Sequence, residues 1–151
     1  MQTHALAVAC SRSLESYDHV PAAAPGPGNL RILIVNEDMR SADSLKYTLQ
    51  ELGYSTTFTA YSARRALTAA ADFSPAVVIL DLELPDMTGY QLAHKLRSHL
   101  KSSVRRVPLL AIAERHVSGN LELTRAAGFI GCLTKPVLPM ELRSMLRRLP
   151  R

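Results

Sequence analysis

From Leu30 onward the hydrophobic positions alternate between short unbroken runs and longer stripes at three- and four-residue spacing. Leu30–Val35 is the first run. Asp38 then offers an N-cap for a helix whose Ala42, Leu45, Leu49 and Leu52 keep one face, with Gly53 as its stop. Tyr54–Ala60, rich in Thr and aromatics, predicts a half-buried strand. Ser62 caps a second helix through Ala66, Leu67 and Ala70 to about Asp72. Ala76–Asp81 is apolar up to its terminal acid, as a strand buried on both faces would be. Thr88 or Gly89 opens a third helix with Leu92, Leu96 and Leu100 in phase. Val107–Ala113, carrying Pro108 near its start, is a fourth strand. Ser118 caps a shorter helix ending at Gly128, and Phe129–Leu133 is the fifth strand. Pro139 suits the first position of a last helix striped by Leu142, Met145, Leu146 and Leu149.

Five strand-then-helix units with short connections predict an α/β fold, a doubly wound (βα)5 parallel sheet with helices on both faces. The flavodoxin-like strand order 2-1-3-4-5 is the leading topology. Its switch point sets the turn Asn36-Glu37-Asp38 beside Asp81, at the carboxyl ends of strands where such folds handle ligands. Residues 1–29, broken by Pro21, Pro25, Gly26, Pro27 and Gly28, read as a leader with at most a short frayed helix near residues 5–16. Residues 30–151 form the domain.

Composition narrows the class. A chain of 151 residues, 47% hydrophobic and 21% charged, suits one globular domain. No apolar run approaches the roughly 18 residues that cross a membrane. The six-residue stretch Ala5–Cys10 has no basic residue before it and falls short of the roughly 7–15 of a signal segment. A cytoplasmic location is the default, with Cys10 and Cys132 as reduced thiols. His4, His19, His94, His99 and His116 have no ligand spacing. Charge is uneven: residues 30–90 hold five basic and eight acidic residues, residues 91–151 twelve and three. The basic half reads as a solvated helix surface. Arg143, Arg147, Arg148 and Arg151 fit an acidic protein surface better than nucleic acid.

The acidic switch-point cleft carries the chemistry. Crowded carboxylates need a counter-charge, and oxygen-only ligands favour a hard cation such as Mg²⁺. Lys135, in Leu133-Thr134-Lys135-Pro136, brings a compact positive charge suited to a phosphoryl oxygen. A carboxylate nucleophile, a divalent cation and a lysine together describe phosphoryl transfer onto aspartate.

With these residues in this order, residues 30–149 resemble a receiver domain of two-component response regulators, of the stand-alone, chemotaxis-regulator-like type. The resemblance rests on the acidic turn after the first strand, on Asp81 in Ile79-Leu80-Asp81-Leu82-Glu83-Leu84-Pro85-Asp86-Met87-Thr88-Gly89, and on Lys135-Pro136. It implies that Asp81 is the phosphoacceptor, served by a histidine kinase or histidine phosphotransfer protein. Mg²⁺ (or Mn²⁺) would be held by Glu37, Asp81 and the backbone carbonyl of Glu83, with Asn36 or Asp38 as a further contributor. Lys135 would pair with the acyl phosphate, and Lys135-Pro136 would be cis. Output is expected by binding a downstream protein through the face of the fourth and fifth helices, and homodimer formation stays open.

Four positions depart from the family pattern. Asn36 replaces the first acid of the pair, unless the register shifts to Glu37-Asp38. Ala113 stands where the family carries Ser or Thr, and Cys132 where an aromatic ring commonly switches rotamer; without both, the usual hydroxyl–aromatic coupling is not expected. Glu83 and Arg115, each two residues past a site position, are expected to pair across the cleft mouth and hinder attacking water. Two competing classes remain. A pseudo-receiver would bind partners without phosphorylation, as Asn36, Ala113 and Cys132 favour and the Asp81–Lys135 pair opposes. A flavin or nucleotide binder ranks last, because an anionic turn replaces the phosphate cradle such a site needs.

Overall fold

The structure is a computed structural model that describes residues 27–114 and 121–149. The five apolar runs become strands β1 (Ile32–Val35), β2 (Thr57–Ala60), β3 (Val77–Asp81), β4 (Leu109–Ala113) and β5 (Phe129–Thr134), all parallel, in the order β2-β1-β3-β4-β5. This is the expected order. The helices are α1 (Met39–Glu51), α2 (Ala63–Phe73), α3 (Gly89–Arg97), α4 (Leu121–Ala126) and α5 (Pro139–Arg147), with a single extra turn at Ser102–Arg105 that the hydrophobic pattern does not announce.

Side-chain alternation along the strands sorts the core into two layers. Ile32, Ile34, Val77, Ile79, Leu110 and Ile112 pack with Ala42, Leu45 and Leu49 of α1 and Leu142 and Leu146 of α5. Leu33, Val35, Val78, Leu80, Leu109 and Ala111 pack on the opposite face with the alanines of α2 and with Leu92, Ala93 and Leu96 of α3. Every residue of β1, β3 and β4 is buried, which is why those runs lack polar interruption.

The caps are local. Asp38 accepts from the Ser41 N–H and Ser62 from the Arg65 N–H, each closing the first turn of its helix. Thr88 and Gln91 form a reciprocal capping box on α3. Gly53 takes a positive φ of 98° just past α1, the conformation that makes glycine the economical stop there.

Two expectations need correction. Leu100 is in phase with Leu92 and Leu96 yet 96% exposed. The helix ends at Arg97, where both the hydroxyl and the N–H of Ser98 donate to the His94 carbonyl. The second strand begins at Thr57 rather than Tyr54, although Tyr54 is buried in the α1 layer. Among the described residues the first element is a 3₁₀ turn at Pro27–Asn29, where the Thr56 hydroxyl donates to the Gly28 carbonyl at 2.7 Å. Ser118 and the short helix suggested near residues 5–16 lie outside the described residues.

Candidate functional site

Parallel register brings the carboxyl ends of the central strands to one edge. Val35 is level with Leu80, Asp81 with Ile112, and Ala113 with Thr134. The turn after β1, the loop after β3 and the segment after β5 therefore open onto a common cleft, as the switch-point argument requires.

Asp81 is the last residue of β3, its side chain only 5% exposed. A carboxylate that deep needs partners for both oxygens. Oδ1 accepts the Glu83 N–H at 2.9 Å, and Oδ2 accepts from Lys135 Nζ at 2.7 Å. Lys135 arrives from the end of β5, where its own N–H donates to the Ala113 carbonyl and the peptide to Pro136 is cis. The Lys135 side chain is 28% exposed, and its ammonium also lies 3.4 Å from Glu114 Oε2. Partial burial by itself would pull the Lys135 pKa down. The hydrogen bonds and charges of Asp81 and Glu114 outweigh that and hold it above the ordinary lysine value.

In the turn after β1, Asn36 is inward and 4% exposed, its Oδ1 accepting the Asp38 N–H at 2.9 Å. Asp38 is engaged at the helix cap, accepting the Ser41 N–H and, at 2.6 Å, the Ser41 hydroxyl. That hydroxyl is the main reason its pKa falls below the ordinary carboxylate value. Glu37 is exposed and makes no hydrogen bond or ion pair among the described residues. A cleft of about 350 Å³ lies between the start of α1 and the segment after β5, lined by Asn36, Arg40, Ser41, Ser44, Lys135 and Val137 but not by Glu37.

Ala113 and Cys132 lie on the α2–α3 side of the sheet. Ala113 is buried, whereas Cys132 is half-buried, a free thiol whose pKa burial pushes up. Glu83 is exposed and bridges to Thr88 in the loop, and Arg115 lies outside the described residues.

Three residues gained roles that periodicity did not show. Glu114 joins Lys135. Asp86, in the loop after β3, accepts the N–H groups of Ala63 and Arg64 at 3.0 Å each and so holds the start of α2. Arg97, at the end of α3, donates to the carbonyls of Arg105, Val107 and Gly128. The signal for Asp86 was present but unused: an acid beside a turn is a helix-capping candidate even for a helix distant in sequence.

A family model for the response regulator receiver domain matches residues 32–147. The chain belongs to the response regulator receiver domain family. It resembles the chemotaxis response regulator CheY4 of Vibrio cholerae, with a TM-score of 0.70 and 28% identity over 80% of this chain and 98% of that one. It is similar at TM-score 0.70 and 26% identity to the receiver domain of the sensor histidine kinase PA1611 from Pseudomonas aeruginosa PAO1, covering 80% of this chain and 96% of that one; that structure has a magnesium ion coordinated in the active site cleft. Among curated sequences, the transcriptional regulatory protein KdpE of Mycobacterium tuberculosis is 33% identical over 77% of this chain. The match spans 49% of KdpE, so the chain covers about half the length of that relative. Receiver domains are signalling domains of two-component systems that work with histidine kinases and downstream targets. Among the described residues, no helix is long and apolar enough to cross a membrane.

Proposed function

We propose that this chain is a phosphorylatable receiver in which Asp81 accepts a phosphoryl group from a phosphohistidine of a histidine kinase or phosphotransfer protein. The observation that carries this reading is the 2.7 Å contact between Lys135 Nζ and a carboxylate buried at the carboxyl end of the central strand. An Asp81 oxygen attacks phosphorus, the new O–P bond forms as the P–N bond breaks, and the imidazole leaves. Lys135 neutralises charge on the transferred phosphoryl group. The Glu83 N–H, already aimed at Oδ1, is a second donor there.

The donor chemistry fits a hard divalent cation. Asp81, Glu37 and the Glu83 carbonyl are all oxygen ligands, and Glu37 has no competing partner among the described residues. Mg²⁺ (or Mn²⁺) held there would offset the charge of the incoming phosphoryl group. The set is thin, since Asn36 fills an inward position with an amide and Asp38 is occupied as a cap. Among the described residues no three His, Cys, Asp or Glu side chains gather to hold a metal by themselves. Weak metal affinity follows.

Output without the hydroxyl at Ala113 and the ring at Cys132 runs through partner binding on the face of α4, β5 and α5. The exposed Leu123, Ile130, Leu138 and Met140 support that face as a contact surface. It would serve a downstream protein or a second copy, in the cytoplasm. The inward Asn36 favours one competing reading, a pseudo-receiver that binds partners without phosphorylation.

Intact-mass spectrometry after incubation with acetyl phosphate, and separately with a phosphorylated histidine kinase, decides between them. A phosphoryl adduct that depends on Mg²⁺ and vanishes in Asp81→Asn is expected. No adduct from either donor would replace this reading with the pseudo-receiver.

A further inference from the structure

Lys135 has two acidic partners, and only Asp81 belongs to the phosphoacceptor reading on which this inference rests. Glu114 follows Ala113 directly, at the end of β4, and its carboxylate reaches 3.4 Å from the Lys135 ammonium while its side chain stays 46% exposed. A phosphoryl group on Asp81 must settle against the same ammonium. Two anionic groups competing for one cation at that spacing repel, and the partly solvated Glu114 is the one free to leave.

We propose that Glu114 is an internal competitor for the phosphoryl site, occupying Lys135 in the resting state and expelled when Asp81 carries the phosphoryl group. The change at the end of β4 is then driven by repulsion. This suits the residue before it: Ala113 has no hydroxyl with which to be drawn inward, and nothing is needed to pull a segment that is pushed. Glu114 acts as a positioning residue, holding the lysine ready at Asp81 while keeping resting affinity for phosphoryl groups low.

The test uses beryllium fluoride with Mg²⁺, which forms a phosphoryl mimic on carboxylates. Calorimetry measures its affinity for the full chain and for Glu114→Gln, Glu114→Ala and Asp81→Asn. Loss of a half-exposed charge competitor corresponds to about two- to fivefold tighter binding for both Glu114→Gln and Glu114→Ala. Binding by Glu114→Gln equal to or weaker than that of the unaltered chain overturns the proposal while leaving the receiver reading intact. Tightening in Glu114→Ala alone also overturns it, because bulk rather than charge would then be the obstacle. Failure of every protein to bind, or binding that survives Asp81→Asn, removes the receiver reading and this inference with it.

Discussion

Replacing Asp86 by Ala unlinks the loop that carries the site from the helix beside it. Its carboxylate accepts two N–H groups in the first turn of α2, at 3.0 Å each, while Ser62 satisfies the Arg65 N–H. Losing an acidic acceptor at a helix N-terminus costs about 0.5–2 kcal/mol. Asp86 is exposed, so water takes over part of the bonding, and about 1 kcal/mol is the expected loss. With a urea slope of about 2 kcal/mol/M, that lowers the midpoint by about 0.5 M at neutral pH. Asp86→Asn keeps an acceptor but loses the charge and should fall between. The pH dependence has a definite sign. The Ala63 N–H, and after it the Arg64 N–H, hold the folded Asp86 pKa below its ordinary value of 3.8. Its stabilisation is therefore complete above the unfolded value and fades as pH drops through the lowered folded one. The gap between the unaltered chain and Asp86→Asn should narrow at acid pH. An Asp86→Ala midpoint indistinguishable from that of the unaltered chain, or a gap that persists undiminished in acid, would refute the reasoning.

Two further substitutions probe the packing behind the site. Arg97→Met strands three carbonyl acceptors where the chain enters β4 and β5, and the expected loss in urea unfolding is about 2 kcal/mol or more; a loss under about 0.5 kcal/mol would show that water replaces the guanidinium. Gly89→Ala would set a Cβ 2.7 Å from the Leu82 Cα and from Leu80 Cδ1, and backbone cannot yield as a side-chain tip can. A destabilisation of about 1–3 kcal/mol is expected by thermal melting, and an unchanged Tm would mean that the close approach of α3 to the loop is relieved elsewhere.

Much of this fold was legible because burial on both faces forces continuous apolar runs, as in Val77–Leu80, and because caps and stops act within a few residues. The pairing of Asp81 with Lys135, 54 positions apart, was legible only through topology. Once the strand order is set, both sit at the same sheet edge. What stayed hidden was where long or charged side chains end. Glu114, Asp86 and Arg97 choose partners supplied by other elements, and no periodicity encodes that choice. Leu100 shows the complementary failure: phase tells which side a residue would face, not whether the helix persists that far.

The capping box on α3, the Glu83–Thr88 bridge and the Asp86 bonds to α2 have a joint mechanical consequence. They bolt the loop downstream of Asp81 at both of its ends, so that wall of the cleft works as a stator. On the reading proposed above, Asp81 has that fixed wall on one side and, on the other, Lys135 with its second partner Glu114 at the end of β4.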